Sequence, residues 1–409
     1  MTTEEAELDE RTTEKIRSDV REWLGSNWSA GQDRQRFLEG AVDAGWARPA
    51  WPRGAFGRDL PEAAASIITE EFRAAGAPVP QPDGNEIQNA IATTVIKDFA
   101  ESPVLRENVL RELLTGRHHL CLLYSEPGAG SDLAALQTNA ERDGDEWVIN
   151  GQKVWTSEAQ NATYGLLAAR TNWDVPKRHG ITYFLIPLDQ EGVDIRPIKQ
   201  MTGHAHFNEV FLTNARVEDR MRISAVDDGW RVLQRALAVE RMVMGTLHSD
   251  RDEDNTGLES SEVPRLPDLV AIATEAGRNK DPLMRQEIAR LHALRRIGSW
   301  NAERAEGQSD MGVATVIKLA LTTTLHDSAR IHAQLIGQEA MLVAGASAAG
   351  DAANQAAMWQ FAHSIGGGSD EIQRNLIAER ILGLPHDHSA DRHIPFREAR
   401  KAEAIRKLS

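Results

Sequence analysis

The chain has 409 residues and carries 61 Asp and Glu against 46 Lys and Arg, a formal net charge of -15, which argues against a protein that coats nucleic acid. Hydrophobic residues at 41% and charged residues at 26% are globular values and exclude disorder and fibre alike. Cys121 is the only cysteine, so an internal disulfide framework and a thiolate metal cluster are both excluded and a reducing compartment is the simplest setting. The opening MTTEEAELDERTTEK is too polar for a signal peptide, and no run of about 18 apolar residues marks a membrane span. A cytoplasmic location is expected.

Residues 1–119 read as an N-terminal helical domain: apolar residues recur at helical spacing over 16–28, 63–72, 87–99 and 105–114, the last ending before Gly116. From 120 to 224 the period shortens and turn signals multiply, as in a central, β-barrel-like domain. Asn150-Gly151 is expected to be a two-residue hairpin turn, because this dipeptide tolerates positive φ. Further strands are expected at 181–187 and 208–212. Helical periodicity returns over 225–385, with segments near 230–244, 283–305, 313–336, 352–361 and 370–382, an expected C-terminal helical bundle. Asp281-Pro282 is a helix opening, with Asp as the cap and Pro at the first helical position. Residues 249–267 read as a polar, acidic surface loop and 386–409 as a charged tail. The expected fold class is α+β.

The most informative string is Tyr124-Ser125-Glu126-Pro127-Gly128-Ala129-Gly130-Ser131-Asp132. It joins a strand end to a Gly-rich turn whose amides and hydroxyls can hold an anionic or carbonyl-bearing ligand, or simply close a β turn. Leu133 stands where the dinucleotide fingerprint requires its third glycine.

Together with Asn150-Gly151-Gln152-Lys153-Val154-Trp155-Thr156-Ser157, this string resembles the two signature stretches of the acyl-CoA dehydrogenase family. Gln200-Met201-Thr202-Gly203, Asn208-Glu209-Val210-Phe211, Gly366-Gly367-Gly368-Ser369-Asp370-Glu371-Ile372-Gln373-Arg374 and Ala378-Glu379-Arg380-Ile381-Leu382-Gly383 follow in family order. The resemblance implies FAD as cofactor, with Tyr124 and Ser125 beside the isoalloxazine, Trp155 packed on the flavin and Ser157 near its reactive edge. It further implies FAD contacts at Arg278, Gln334, Gly337, Ser369 and Glu371, and substrate contacts at Ser131, Arg241, Gly367 and Gly368. Gln338 replaces the second glycine of the family's Gln-x-x-Gly-Gly, and Gly277-Arg278-Asn279-Lys280 lacks the family's Phe-Gly.

In many relatives the catalytic base is a glutamate immediately before the Gly-Thr of the C-terminal signature, a position held here by Gly367. Isovaleryl-type and steroid-side-chain relatives use a glutamate on the first long helix of the C-terminal domain, which matches Glu240 in Leu237-Ala238-Val239-Glu240-Arg241. Glu240 interrupts an apolar stretch, and desolvation there would raise its proton affinity. The reading is therefore an FAD-dependent dehydrogenase that converts an acyl-CoA, with a branched or bulky acyl group, to its trans-2-enoyl-CoA and passes electrons to an electron-transfer flavoprotein. Two alternatives stay open: a flavin oxidase or dehydrogenase acting on a carrier-bound thioester, and a non-catalytic partner subunit of a mixed assembly. The expected assembly is a homodimer, a homotetramer or a complex with a related chain. No nucleic-acid partner and no metal site are expected.

Overall fold

The structure is a computed structural model that describes residues 8–80, 86–246, 267–305, 311–342, 345–386 and 391–408. It divides into two compact units. The first comprises the residues up to 197, 207–236 and those from 391; the second comprises 198–206 and 237–390.

The first unit opens with helices α1 (Glu10–Asn27), α2 (Arg34–Asp43), α3 (Ala64–Ala74), α4 (Glu86–Phe99) and α5 (Leu110–Leu114). Asp9 caps α1 by accepting from the Thr12 amide at 2.6 Å, and Asp33 caps α2 through the Arg36 amide at 2.7 Å. Ile16, Val20 and Leu24 lie at the spacing of one helix face and are buried with Phe37, Leu38, Ile68 and Phe72. The strands are β1 (Leu120–Leu123), β2 (Asn139–Asp143), β3 (Glu146–Ser157), β4 (Tyr164–Arg170), β5 (Ile181–Pro187), β6 (Val193–Ile198) and β7 (Phe207–Glu218). They form one seven-stranded sheet in the order β1-β4-β2-β3-β7-β6, with β5 paired to β4. Strands β4 and β5 are buried along almost their whole length, which is why they read as continuous apolar runs without alternation.

The Asn150-Gly151 turn expected from sequence is absent. β3 runs straight through these residues, and the hairpin closes instead between β2 and β3 at Gly144, where φ is 64°. Asn150 and Gly151 mark a bulge, because the register with β7 shifts between Ile149 and Gly151. The left-handed residue is Asn214 on the partner strand, at φ 52°, and its amide donates to Asn150 Oδ1 at 2.9 Å. Gly151 is required for close approach: a Cβ there would stand 2.4 Å from Thr138 Oγ1 and 2.7 Å from Thr138 Cα.

Helix α6 (Gly229–Thr246) ends the described residues before the acidic stretch; of the loop expected at 249–267, residues 249–266 lie outside those described. In the second unit, α7 (Leu269–Glu275), α8 (Pro282–Ala305), α10 (Ala348–Ile365) and α11 (Asp370–Leu376) all pack on α9 (Met311–Ile336). Asp281 opens α8 as expected, accepting from the amides of Leu283 at 3.0 Å and Met284 at 3.3 Å. The residues between β6 and β7 belong to this unit: Gln355 of α10 donates to the Thr202 carbonyl at 3.1 Å, and His206 stacks on Trp359 at 5.1 Å.

The charged tail holds a further helix, α12 (Phe396–Leu408), whose residues group with the first unit. Phe396 is 2% exposed and lies under the guanidinium of Arg170 at 4.1 Å. Mostly small apolar residues among so many charges give α12 a weak periodic signal, so the sequence pattern did not reveal it.

A Gly151→Ala variant is expected to lose about 1–3 kcal/mol of stability, since Thr138 meets the new methyl group with backbone as well as side chain. Urea unfolding of the two proteins measures the difference.

Candidate active site

Tyr124, Ser125, Trp155 and Ser157 are drawn into one neighbourhood by one backbone bond and one side-chain bond. The Val154 amide donates to the Ser125 carbonyl at 3.0 Å, and Lys153 Nζ donates to the Tyr124 carbonyl at 3.1 Å. The main fastening is a buried ion pair that sequence reading missed. Lys153 is wholly buried, and its ammonium meets Glu126 Oε1 at 2.8 Å and the Ala168 carbonyl at 2.9 Å. Glu126 also accepts from the amides of Gln137 at 2.6 Å and Thr138 at 2.8 Å. Burial by itself would raise this carboxyl, but Lys153 and the amides outweigh it and hold it below the usual range. A signal existed: a lysine at an inward-facing strand position calls for a buried carboxylate partner.

Trp155 occupies a second bulge. Between the pairs Lys153–Val210 and Thr156–Asn208, β3 spends two residues against one of β7. The extra turn puts Trp155 at φ 61°, rare for a non-glycine, and leaves its side chain 59% exposed, propped edge-on against Phe207 at 6.1 Å. Strained backbone and a large exposed aromatic at one position are the marks of a binding surface rather than of core packing. Ser157, two residues on, pairs in register with Phe207. Ser131 lies exposed on the turn that follows, with Gly130 beside it.

The remaining candidates lie in the second unit. Glu240 on α6 is half-buried; desolvation lifts its carboxyl above the ordinary range, while Arg241 and Lys318 pull the other way. Arg241 is buried. Lys318 of α9 is also buried, its ammonium 3.1 Å from Asp370 Oδ1, which Thr322 Oγ1 meets at 3.0 Å. Gly367 and Gly368 take φ of 66° and 92°. Both carbonyls are held by the buried Gln373 Nε2, at 2.9 and 3.2 Å. Ser369 caps α11 through the Ile372 amide at 3.4 Å, and Glu371 is exposed in its first turn. Arg278 and Gln334 meet directly: the guanidinium donates to the Gln334 carbonyl at 2.5 Å and to Asp281 at 3.0 Å. Gly337 follows at the end of α9, with φ of 60°.

The models for the acyl-CoA dehydrogenase middle domain and C-terminal domain match residues 121–215 and 269–382. An acyl-CoA dehydrogenase, IpdE1 of Mycobacterium tuberculosis (strain ATCC 25618 / H37Rv), is 34% identical over 394 residues, covering 91% of this chain and 98% of its own. Among solved structures, the Tcur3481-Tcur3483 steroid ACAD superposes with a TM-score of 0.63 at 25% identity, over 94% of this chain and 100% of that one. The ChsE4-ChsE5 complex from Mycobacterium tuberculosis does so with 0.60 at 25% identity, over 93% and 100%. Among the described residues, no helix is long and apolar enough to cross a membrane.

Replacing Lys153 by Met is expected to cost about 3–5 kcal/mol, because Glu126 is left buried without its counter-charge. Adding Glu126→Gln to that variant should recover part of the loss in chemical denaturation. Because Glu126 is held below its unfolded value, its contribution is present at neutral pH and is lost as pH falls through the depressed folded value. Wild-type stability should therefore drop more steeply under acid than that of the doubly substituted chain.

Proposed function

The chain belongs to the acyl-CoA dehydrogenase family of oxidoreductases, and from that premise we propose that it desaturates a bulky acyl-CoA between the α and β carbons, with Glu240 as the base. One observation carries this reading. Residue 367 is a glycine in left-handed backbone, where a glutamate side chain would be strained, while Glu240 is a half-buried carboxyl whose proton affinity burial has raised.

The residues present fit FAD. An exposed Trp155 offers a flat apolar face, and Ser125 and Ser157 on neighbouring segments offer directed polar atoms, the combination that a flat ring with polar edges requires. FAD, when bound, supplies the acceptor for the hydride leaving the β carbon. This chain's own residues do the rest. In the first unit Tyr124 and Ser125 would hold the ring and Ser131 the thioester arm; in the second, Gln334, Gly337, Ser369 and Glu371 would contribute cofactor contacts of their own. Glu240 takes the α proton. Arg241 and Lys318 keep it ionised enough to do so without cancelling the effect of burial.

The run Gly366 to Gly368 offers no side chain to fill the wall beside the acyl group. With a solved relative titled as a steroid ACAD, this supports a bulky, ring-bearing acyl group. Electrons then pass to an electron-transfer flavoprotein, and the enzyme works in the cytoplasm. A complex with a related chain is the preferred assembly over a homodimer or homotetramer. Arg278, the residue carried over for the FAD diphosphate, is engaged by Gln334 and Asp281, so another chain supplies the cation, and solved relatives carry paired names.

The purified protein should show a flavin spectrum that bleaches on anaerobic titration with a ring-bearing acyl-CoA; bleaching by short straight chains alone would overturn the substrate class. Glu240→Gln should retain the flavin and slow its reduction by about 10²–10⁴-fold. Because the base must be ionised and its pKa is raised, the wild-type rate should climb with pH over a window above that of an ordinary glutamate. A pH profile of flavin bleaching, read by stopped flow, checks the sign.

A further inference from the structure

Helix α12 and the residues before it converge on the turn that follows Ser131 through two independent anchors. The first is Arg170, buried at the end of β4. Its guanidinium gathers three carbonyls, those of Ala134 at 2.7 Å, Lys177 at 2.9 Å and Leu136 at 3.1 Å, and the Phe396 ring of α12 covers it at 4.1 Å. Phe396 is itself fixed: its amide donates to the Val175 carbonyl at 2.8 Å and its ring stacks on Trp173 at 5.5 Å. The next residue, Arg397, reaches Asp174 at 2.7 Å.

The second anchor is Lys177, whose side chain is largely buried. Its ammonium bridges Asp132 Oδ2 at 2.7 Å and Asp391 Oδ2 at 2.8 Å. Asp132 is the immediate neighbour of Ser131, and Asp391 opens the segment that leads into α12. An ammonium shared by two carboxylates in a partly buried setting holds both more firmly than an exposed pair could.

We propose that the C-terminal segment 391–408 is a strap that holds the turn carrying Ser131, and that Lys177 is the positioning residue through which it acts on thioester binding. The inference deepens the proposed function and rests on its placement of the acyl thioester at Ser131. In the free chain, Pro127 to Asp132 are solvent-exposed apart from buried Ala129, and a turn of this kind wanders unless it is tied down. Arg170 and Lys177 tie it at Ala134, Leu136 and Asp132, Phe396 of α12 covers the Arg170 guanidinium, and Asp391 holds the Lys177 ammonium. Binding then no longer bears the entropy of ordering the turn, so the strap acts on affinity ahead of turnover.

The test uses hydrogen–deuterium exchange of peptides spanning 126–137 in the full-length, ligand-free protein, alongside steady-state kinetics with the acyl-CoA that bleaches the flavin. Lys177→Met and Asp391→Asn should each speed exchange of that turn and raise KM several-fold, with kcat changing less than KM. Lys177→Arg, which keeps the charge and both contacts, should restore both values. Unchanged exchange in Lys177→Met and Asp391→Asn overturns the strap. Faster exchange at an unchanged KM overturns its role in substrate binding. The exchange arm needs neither flavin nor substrate, so a failure of the proposed function leaves it readable. Asp391→Asn keeps the side chain's shape at a half-buried position outside the core, which keeps the test open if Lys177→Met folds poorly.

Discussion

A lysine buried inside the sheet is the constraint on which the surface formed by the two signature stretches depends. Each of the three protons of Lys153 has an acceptor, and both oxygens of Glu126 are occupied. Removing two charges from water opposes folding, and only this complete set of partners makes the arrangement tolerable. What the pair supplies is position. Lys153 sits two residues before Trp155, and Glu126 sits two residues after Tyr124, so the pair joins the two signature stretches of the sequence into one surface.

The same physics serves a different end in the helical unit. There Glu240 and Arg241 are both desolvated, and the charges of Arg241 and Lys318 only partly offset the burial of Glu240. Lys318 is committed by hydrogen bond to Asp370, so its field reaches Glu240 without an ion pair that would pin the carboxylate in its charged form. A fully partnered pair gives a rigid frame, whereas burial that its neighbours do not offset raises a carboxyl's proton affinity.

Several elements were legible because their signals are local. α8 begins at Pro282 with Asp281 as its cap, and β5 occupies 181–187, the apolar run marked in the sequence. Asn150-Gly151 misled for a physical reason: the dipeptide that tolerates left-handed backbone also suits a bulge, and the choice depends on Thr138 and Asn214, which lie distant in sequence. Helices α2 and α7, at 10 and 7 residues, were too short for periodicity to mark. α12 was obscured because Phe396, buried among the described residues of the helix, finds its partners in Arg170 and Trp173, more than two hundred residues away.

The sequence by itself determined the family, the α+β class and the identity of the candidate residues, since motif spacing and residue type survive without coordinates. It also pointed away from Gly367 and towards Glu240. Tertiary structure alone decided that Trp155 stands exposed in left-handed backbone, that Lys153 and Glu126 are one buried pair, and that Lys177 joins Asp132 to Asp391. These facts depend on burial and on contacts between distant segments. Desolvation strengthens a charge contact and strain at a bulge exposes a ring, and neither quantity exists until the chain has closed on itself.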